Sequence, residues 1–460
     1  MASRSAGPGR SARSLLGWLA PGFGFKRSLC ALAVGIAIAS IGIGALLHRA
    51  GPRLLRGLVG GPHALPSAEA WVVAAIGAGV CIVAIERVTR AVVEAAIAPG
   101  VGRLLRAYPE AALASRGPRV VAIGGGTGLS VLLRGLKRYT WNLTAVVAVS
   151  DDGGSSGRLR EELGMPPPGD IRNCLVALAD TEPLMERLFQ HRMSAGSGLK
   201  DHAFGNLFLA AMTEIADGDF DQAIRASSRV LAVRGRVLPS TLAPVRLRAE
   251  LADGTMVEGE SRIGRSGAPI RRIQLVPERP APLAEVLEAI AQADMIVMGP
   301  GSLYTSIAPN LLVAGMAEAL RGASGLKVYV ANIMTQPGET EGLDASAHVE
   351  ALRAHGAAID VAVVNSAHLS AAAVERYARE GAQPVTASAG ALRAAGVRVV
   401  EAPLLSGEEA PVRHAPDALA RLLVALLLER RLARRGGRLA SWGAAAVRRS
   451  ATAAGSGWHA

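Results

Sequence analysis

Between Arg116 and about Ala425, short apolar runs alternate with longer stretches that are rich in alanine and leucine. Five of the runs lead into Gly, Ser, Asp, Asn or Thr: VVAIGGG, LTAVVAVSDD, MIVMGPGS, KVYVANIMT and DVAVVNS. Nearly continuous apolar strands separated by helices are typical of a parallel sheet that is covered on both faces. The pattern therefore predicts an α/β fold with polar turns at the carboxyl ends of its strands, where such sheets bind ligands.

One segment has a different period. Between Val245 and Ile273 the stretch VRLRAELADGTMVEGESRI alternates polar with apolar residues around Asp253-Gly254, a pair typical of hairpin turns. We expect a small antiparallel insertion here, within a Rossmann-like three-layer domain.

Two apolar runs near the amino end predict transmembrane helices. Residues 28–47 carry no charge and have the length of a membrane-spanning helix. Residues 70–85 are fewer and can span if the bilayer thins. A signal peptide and a buried helix are the alternatives, but the long basic region and the second run favour a hairpin. The predicted organisation is a membrane anchor at 1–110, a ligand-binding domain at 116–425 and a basic tail at 426–460.

The net charge of +12 is concentrated at the two ends of the chain. Residues 1–56 contain eight Lys or Arg and residues 430–460 contain seven, with no acid in either segment, which leaves about −3 for residues 57–429. Positive charge beside apolar segments suits an anionic membrane surface, and no aromatic residues are interleaved with it for base stacking. We therefore expect membrane lipids as partners and no nucleic acid, with the main domain in the cytoplasm.

The stretch VVAIGGGTGLS, Val120 to Ser130, places a glycine-rich turn between a strand and a helix. Glycines at such a turn let the backbone approach a phosphate, whose charge the helix N-terminus favours. The spacing differs from the dinucleotide motif, because Leu129 stands where its third glycine would be. Alone, the turn indicates an anion site only weakly, and a purely structural turn is the alternative.

Three further polar turns follow predicted strands or precede predicted helices: SDDGGSSGRLR from Ser150, PPPGDIRN from Pro166 and GPGSLYTS from Gly299. Paired carboxylates suit a divalent cation or hydroxyl groups, and glycine-serine turns offer amides and hydroxyls to an anion. Surface loops of similar composition are the alternative, but the recurrence favours one shared site. With the glycine turn and HAFGN, from His202, the candidate ligand-binding residues are Gly124, Gly125, Gly126, Thr127, Gly128, Asp151, Asp152, Ser155, Ser156, Asp170, Asn173, Asn206, Gly299, Gly301 and Ser302.

The histidines predict no metal site, because none of the nine forms a ligand pair at helical spacing or sits with cysteine at zinc spacing. His202 is the one histidine beside a candidate turn. No serine stands in the G-x-S-x-G setting of a hydrolase nucleophile. The sequence therefore leaves any catalytic residue unassigned.

Six ordered motifs resemble the gluconeogenesis-factor (YvcK-like) family, which is related to 2-phospho-L-lactate transferase (CofD). They are GGGTGLSVLLRGLK, SDDGGSSGRLR, PPGDIRN, HAFGNLFLAA, GPGSLYTSIAPNLLV and NIMTQPGETEGLDASAHV. The resemblance implies a ligand over the carboxyl edge of the sheet, chiefly uridine diphosphate N-acetylglucosamine (UDP-GlcNAc), and regulation of cell shape and wall synthesis during gluconeogenic growth. Family members are mostly soluble, so the predicted hairpin is an addition.

The related enzyme transfers a phospholactyl group from a guanosine diphosphate-linked donor to a deazaflavin with magnesium, and its acceptor-binding aspartate would correspond to Asp170. We rank a non-catalytic nucleotide-sugar sensor first, this transferase second and a dehydrogenase a distant third. Magnesium is expected only if the protein is the transferase, and the sequence leaves homo-oligomerisation open.

Overall fold

The computed structural model describes residues 117–180, 183–407 and 412–434, together with Gly79, Val80 and Val83. The predicted transmembrane segment 28–47 lies wholly outside these residues. Of the predicted segment 70–85, only Gly79, Val80 and Val83 are described. Within the described part of the chain, no helix is both long and apolar enough to cross a membrane.

The centre of the domain is a seven-stranded sheet in which every neighbouring pair is parallel. Its strands are Val120–Gly124 (β1), Leu143–Val147 (β2), Arg236–Pro239 (β3), Met295–Met298 (β7), Leu326–Val330 (β8), Val361–Asn365 (β9) and Arg398–Ala402 (β10). Their order in the sheet is β10-β9-β8-β7-β1-β2-β3. The five apolar runs seen in the sequence are the five inner strands of this order, β9, β8, β7, β1 and β2.

A separate three-stranded antiparallel sheet confirms the predicted insertion. It consists of Arg246–Leu251 (β4), Met256–Glu258 (β5) and Ile270–Val276 (β6), in the order β5-β4-β6. Asp253 shapes the predicted turn, because its carboxylate accepts the Thr255 N–H at 2.9 Å.

Helices cover both faces of the main sheet. In chain order they are Gly126–Leu136 (α1), Gly154–Leu163 (α2), Gly169–Leu178 (α3), Pro183–Gln190 (α4), Phe204–Ile215 (α5), Phe220–Val230 (α6), Glu260–Ile263 (α7), Ala284–Gln292 (α8), Ala308–Leu311 (α9), Met316–Gly322 (α10), Ala345–Ala354 (α11), Ala371–Ala378 (α12), Ala389–Ala394 (α13) and Pro416–Arg434 (α14). A π-helical turn, Leu303–Ile307, leads into α9. The predicted basic tail, 426–460, begins within α14, and residues 435–460 lie outside the described part.

Successive residues of each strand belong alternately to two hydrophobic clusters, one on each face of the sheet. Val120 and Ala122 of β1 pack with leucines of α1, α3 and α14, whereas Val121 and Ile123 pack with the insertion and with α8, α10 and α11. Both faces of the sheet are therefore buried, which explains why its strands read as continuous apolar runs. The predicted three-layer α/β fold with a small antiparallel sheet is confirmed.

The topology brings two of the polar turns together. From β1 the chain adds β2 and β3 on one side, and from β7 it adds β8, β9 and β10 on the other. The adjacent strands β1 and β7 thus lie where the direction of winding reverses, and such a reversal leaves a crevice at their carboxyl ends. The glycine turn follows β1 and the GPGS turn follows β7, so both face this crevice.

Candidate functional site

The glycine turn after β1 is shaped by close contacts that leave no room for side chains. Gly125 lies against Asp170, whose carboxylate a Cβ at this position would overlap. Gly126 has φ +61°, a conformation that favours glycine, and its N–H donates to the Asp170 carboxylate. At Gly128 a Cβ would lie 2.5 Å from the carbonyl oxygen of Pro300. The glycines therefore allow Asp170 and the GPGS turn to approach the start of α1.

Asn332 and Gln336, after β8, hold the GPGS turn in place. The Asn332 side chain accepts the Gly301 N–H at 3.1 Å and donates to the Gly301 carbonyl at 2.9 Å. The amide of Gln336 donates to the Ser302 hydroxyl at 2.8 Å. Neither residue was a candidate on sequence grounds, although both belong to the NIMTQPGE motif. Their position after a buried strand was the signal that could have identified them.

A cavity of about 400 Å³ lies between these two turns and the segments around Tyr377 and Arg413. Its volume falls in the range of small-molecule sites. The predicted site residues that line it are Gly125, Gly126, Thr127, Gly128, Gly301 and Ser302. Arg413 is exposed and places a cation on the wall contributed by the last segment before α14. Asn332 and Gln336 line the cavity as well.

Asp151, Asp170 and Glu260 form an acidic group beside the glycine turn. Burial raises the pKa of Asp170 to about 6, with a further rise from Asp151, while the Gly126 N–H and Arg172 act in the opposite direction. Burial also raises the pKa of Glu260, and its hydrogen-bonded neighbour Asp151 raises it further. Glu260 is therefore protonated near neutral pH and donates to Asp151. It comes from the insertion, where no sequence pattern marked it.

These carboxylates do not form a ready metal site. Across 117–180, 183–407 and 412–434, no group of three or more His, Cys, Asp or Glu side chains is arranged to hold a metal ion. Asp151 instead accepts the Gly153 N–H at 2.9 Å. Asp152 accepts the Ser261 N–H of α7 at the same distance. The pair Asp151-Asp152 thus ties the turn before α2 to the insertion.

A hydrogen-bonded chain of side chains joins the starts of α2, α3 and α5. Ser155 lies 3.0 Å from Nδ1 of His202 and accepts from the Asn206 amide at 3.0 Å. Arg172, which is 6% exposed, donates to Asn206 and to Asn173, both at 2.9 Å. Predicted site residues Ser155, Asn173 and Asn206 therefore lie together, with His202 and Arg172 between them. None of the five lines the cavity.

The remaining predicted residues, Gly124, Gly299 and Ser156, do not line the cavity and pack against residues next to the turns. The Gly124 carbonyl accepts from Asn310, which is fully buried, at 3.3 Å. Gly299 has φ +77° and packs closely on Ile307. The Ser156 hydroxyl lies against Gly169, where a Cβ would overlap it. These positions connect the two cavity turns with α2 and α3.

The fold and the cavity define a Rossmann-like protein with an anion-favouring helix start at a topological switch point. A model of the 2-phospho-L-lactate transferase CofD family matches residues 120–405, which include both turns and the insertion. The gluconeogenesis factor of Bacillus subtilis is 50% identical over 314 residues, covering 68% of this chain and 99% of the relative. The chain therefore belongs to the gluconeogenesis factor family, which carries a CofD-like domain.

A solved structure agrees with this assignment. The crystal structure of a UPF0052 family member from Bacillus halodurans has a TM-score of 0.65 and 48% identity, covering 67% of this chain and 99% of that one. A relative from Nostoc sp. is 44% identical over 418 residues, covering 88% of this chain. Residues from 120 onward make up only about three quarters of the chain, so the Nostoc match includes part of the segment before the domain.

Proposed function

We propose that this protein binds a nucleotide sugar, UDP-GlcNAc, in the cavity between the glycine turn and the GPGS turn, and that the bound state regulates cell shape and wall synthesis. The observation that carries the proposal is the placement of the α1 N-terminus on one wall of the cavity and of Arg413 on another. The names of the relatives support the gluconeogenic role.

The start of α1 suits the diphosphate. Its N-cap is Gly125, which has no side chain to occupy the first-turn amides, and the 11-residue helix adds a favourable dipole. At Gly126 only Asp170 lies within 4 Å of the place where a Cβ would be, so a phosphate oxygen can approach the start of α1 there. Asp170 is compatible with an anion here because its raised pKa lets it become neutral as the ligand binds.

Arg413 and the amides of Asn332 and Gln336 supply the remaining polar contacts. A guanidinium can hold a phosphate through two parallel hydrogen bonds. Side-chain amides offer both donors and acceptors, as the hydroxyl and acetamido groups of a sugar require. The cavity therefore combines charge for a diphosphate with neutral polar groups for a sugar.

A phospholactyl transferase is the second candidate, favoured by the family model and by the acidic group at Asp170. In the present arrangement, however, Glu260 donates a hydrogen bond to Asp151, and among the described residues no group of three or more His, Cys, Asp or Glu side chains is arranged to hold a metal ion. The carboxylates thus fit hydrogen bonding better than magnesium binding, and we derive no metal-dependent step from them.

Calorimetric titration of the full-length chain with UDP-GlcNAc, UDP, GDP, NAD and a deazaflavin tests the choice. We expect UDP-GlcNAc to bind most tightly, and Arg413→Gln to weaken it about tenfold or more, as loss of a charged hydrogen bond predicts. Arg393→Gln, an exposed arginine outside the cavity, is the matched control and should bind normally. Tighter binding of NAD, or magnesium-dependent product formation from a phospholactyl donor and a deazaflavin, would contradict the sensor proposal.

We also propose that the full-length protein is attached to the cell membrane with this domain in the cytoplasm. The two predicted apolar spans and the basic ends of the chain support this location. Extraction of cells with and without detergent is the direct measurement. Recovery of the intact chain in the detergent-free soluble fraction would contradict the proposal.

A further inference from the structure

The first and last segments of the described domain contact the same side chain, Asp294. The backbone N–H of Arg119, just before β1, donates to the Asp294 carboxylate at 2.9 Å. The guanidinium of Arg431, near the end of α14, contacts the same oxygen at 3.0 Å. Asp294 immediately precedes β7, so both contacts lie where the parallel strands begin. We call this surface the amino edge, and it is opposite the cavity, which lies where the strands end.

Basic side chains collect at the amino edge. They come from the residue before β1, from the first two residues of β8 and β10 and from the last turns of α10, α11, α13 and α14, namely Arg119, Arg321, Lys327, Arg353, Arg393, Arg398, Arg430, Arg431 and Arg434. The acids that face them are Asp294, Glu318, Asp360 and Glu429, and each is already in an ion pair with one or two of these residues. The edge therefore keeps an excess of positive charge.

The chain that follows the domain extends this charge pattern. After α14 the sequence continues with Arg435, Arg438, Arg448 and Arg449 and no acid. A basic residue near an anionic membrane surface contributes about 1 kcal/mol of attraction. Arg430 and Arg434 are held at the amino edge because both donate to the Ser324 carbonyl, at 2.7 and 2.9 Å.

We propose that the amino edge is a docking surface for anionic phospholipid headgroups. This inference rests on the membrane attachment proposed above and adds an orientation to it. With the amino edge on the bilayer, the cavity at the opposite end of the strands opens toward the cytoplasm. The ligand then enters from solution, and the cavity stays accessible while the protein is attached.

The α4 surface is the rival docking surface within the described residues. Leu184, Met185 and Leu188 are exposed on it, with Arg187 and Arg192 beside them. Apolar and basic groups together also suit a membrane. Unlike the amino edge, however, this surface is remote in sequence from both ends of the domain and from the basic tail. We therefore favour the amino edge, and the experiment below separates the two.

Arginine footprinting of the full-length chain tests the orientation. The protein is reconstituted with nanodiscs of phosphatidylcholine alone or with added phosphatidylglycerol, treated with phenylglyoxal and mapped by mass spectrometry. We expect modification of Arg321, Arg393 and Arg434 to slow about fivefold on the anionic discs, the equivalent of about 1 kcal/mol per arginine. Arg187 and Arg413 should react equally on both kinds of disc.

Each other outcome has a defined meaning. Slower modification of Arg187 and Arg192 instead would move the contact to the α4 surface and overturn the proposal. Equal rates on both discs, or protection by duplex DNA but not by discs, would overturn it as well. A chain that does not associate with either disc would overturn the membrane attachment itself, a failure that the disc-bound fraction reports separately.

Charge reversal provides a second readout. The pair R321E and R393E should reduce flotation of the full chain with anionic vesicles at moderate salt, whereas the matched pair R187E and R192E should not. All four arginines are exposed, so neither pair is expected to disturb folding. A larger loss from the second pair would contradict the proposed orientation.

Discussion

Gly125-Gly126 and Gly153-Gly154 are two glycine pairs that start helices α1 and α2 with similar backbone geometry. In each pair the first glycine is extended and the second has positive φ, +61° at Gly126 and +49° at Gly154. The first turn lines the cavity. At the second turn Asp151 accepts the Gly153 N–H, and Ser155 is held by His202 and Asn206.

The difference shows that glycine content alone does not distinguish an open anion site from a closed turn. What separates the two turns is whether neighbouring side chains already satisfy the polar groups. Around α2 the neighbouring side chains satisfy these polar groups, and the turn before α2 therefore connects α3, α5 and the insertion. Around α1 the Asp170 carboxylate accepts the Gly126 N–H, and its raised pKa makes it a partner that can be neutralised.

The largest expected effect comes from adding a side chain to each turn in the same way. Asparagine tolerates positive φ, so Gly126→Asn and Gly154→Asn should both fold. We expect Gly126→Asn to weaken UDP-GlcNAc binding about 100-fold, because its side chain would block one or two charged hydrogen bonds worth about 1.5–3 kcal/mol each. Gly154→Asn, with nothing within 4 Å of its Cβ, should bind as the wild type does in calorimetry.

Circular dichroism of both variants controls for folding. If Gly126→Asn is folded and retains its affinity for UDP-GlcNAc, the glycine turn has only a structural role. The contrast between an open turn before α1 and a closed turn before α2 would then be wrong. If Gly154→Asn also loses affinity, the ligand extends to the start of α2.

The second prediction concerns stability. Asn206 is 1% exposed and links Ser155 to the buried Arg172. Asn206→Ala removes both bonds, so we expect the free energy of unfolding in urea to fall by about 2–3 kcal/mol, the cost of stranding buried polar partners. Affinity for UDP-GlcNAc should change less than about threefold, since the lost bonds are internal to the protein and cost stability first. A large loss of affinity in the folded variant would place this side-chain network in the ligand site.

Sequence patterns predicted the parts of this fold in which burial dictates residue type. The central strands are apolar on both faces, and all were recognisable. The edge strands β3 and β10 were not, because RVLP is short and RVVEA carries two exposed charged residues, Arg398 and Glu401. The polar turns supplied the glycine, threonine, aspartate, serine and asparagine candidates of the site, and the motif resemblance supplied the family.

The rest of the site depends on contacts between segments far apart in the chain. Asn332 acts on Gly301 across 31 residues, and Glu260 reaches Asp151 from the insertion. Arg413 has no flanking pattern that marks it, and only the packing of its segment beside α1 brings it to the cavity. No local period or motif encodes such proximity, so the tertiary structure was needed to find Glu260 and Arg413 and to show which backbone groups Asn332 holds.

The third prediction is a pH dependence that belongs to the first turn. The pKa of Asp170 is raised to about 6 in the free protein, and a bound diphosphate would raise it further because negative charge disfavours ionisation. Binding therefore takes up a proton, and affinity falls as pH rises through 6. If the ligand raises this pKa by about one unit, the total change between pH 5 and pH 8 is about tenfold.

Asp170→Asn provides the control for this profile. Asparagine keeps an oxygen acceptor for the Gly126 N–H but does not titrate, so the slope of affinity against pH should disappear. A slope that persists in the variant would assign the titration to another group.

The smallest effect on stability is expected at Glu260. This residue belongs to the insertion and hydrogen bonds with Asp151, just before the turn that starts α2. Its pKa is raised in the folded protein, so it is neutral there but ionised in the unfolded chain above about pH 4.5. This difference costs stability, and the cost grows as pH rises above that value. Glutamine mimics the protonated acid and can still donate to Asp151. We therefore expect Glu260→Gln to stabilise the protein by about 1 kcal/mol at pH 8 and to have no effect at pH 4.

Glu258, two residues away, is the matched control with the opposite sign. Its hydrogen bond with Arg248 lowers its pKa, so the charged form is favoured in the folded protein. Stability from this pair is present above its unfolded pKa and is lost as pH falls, so Glu258→Gln should destabilise at pH 8 and not at pH 3. Urea titrations of the two variants across this range should therefore diverge in opposite directions from the wild type. Parallel shifts would show that Glu260 is ionised in the folded protein and would contradict its raised pKa.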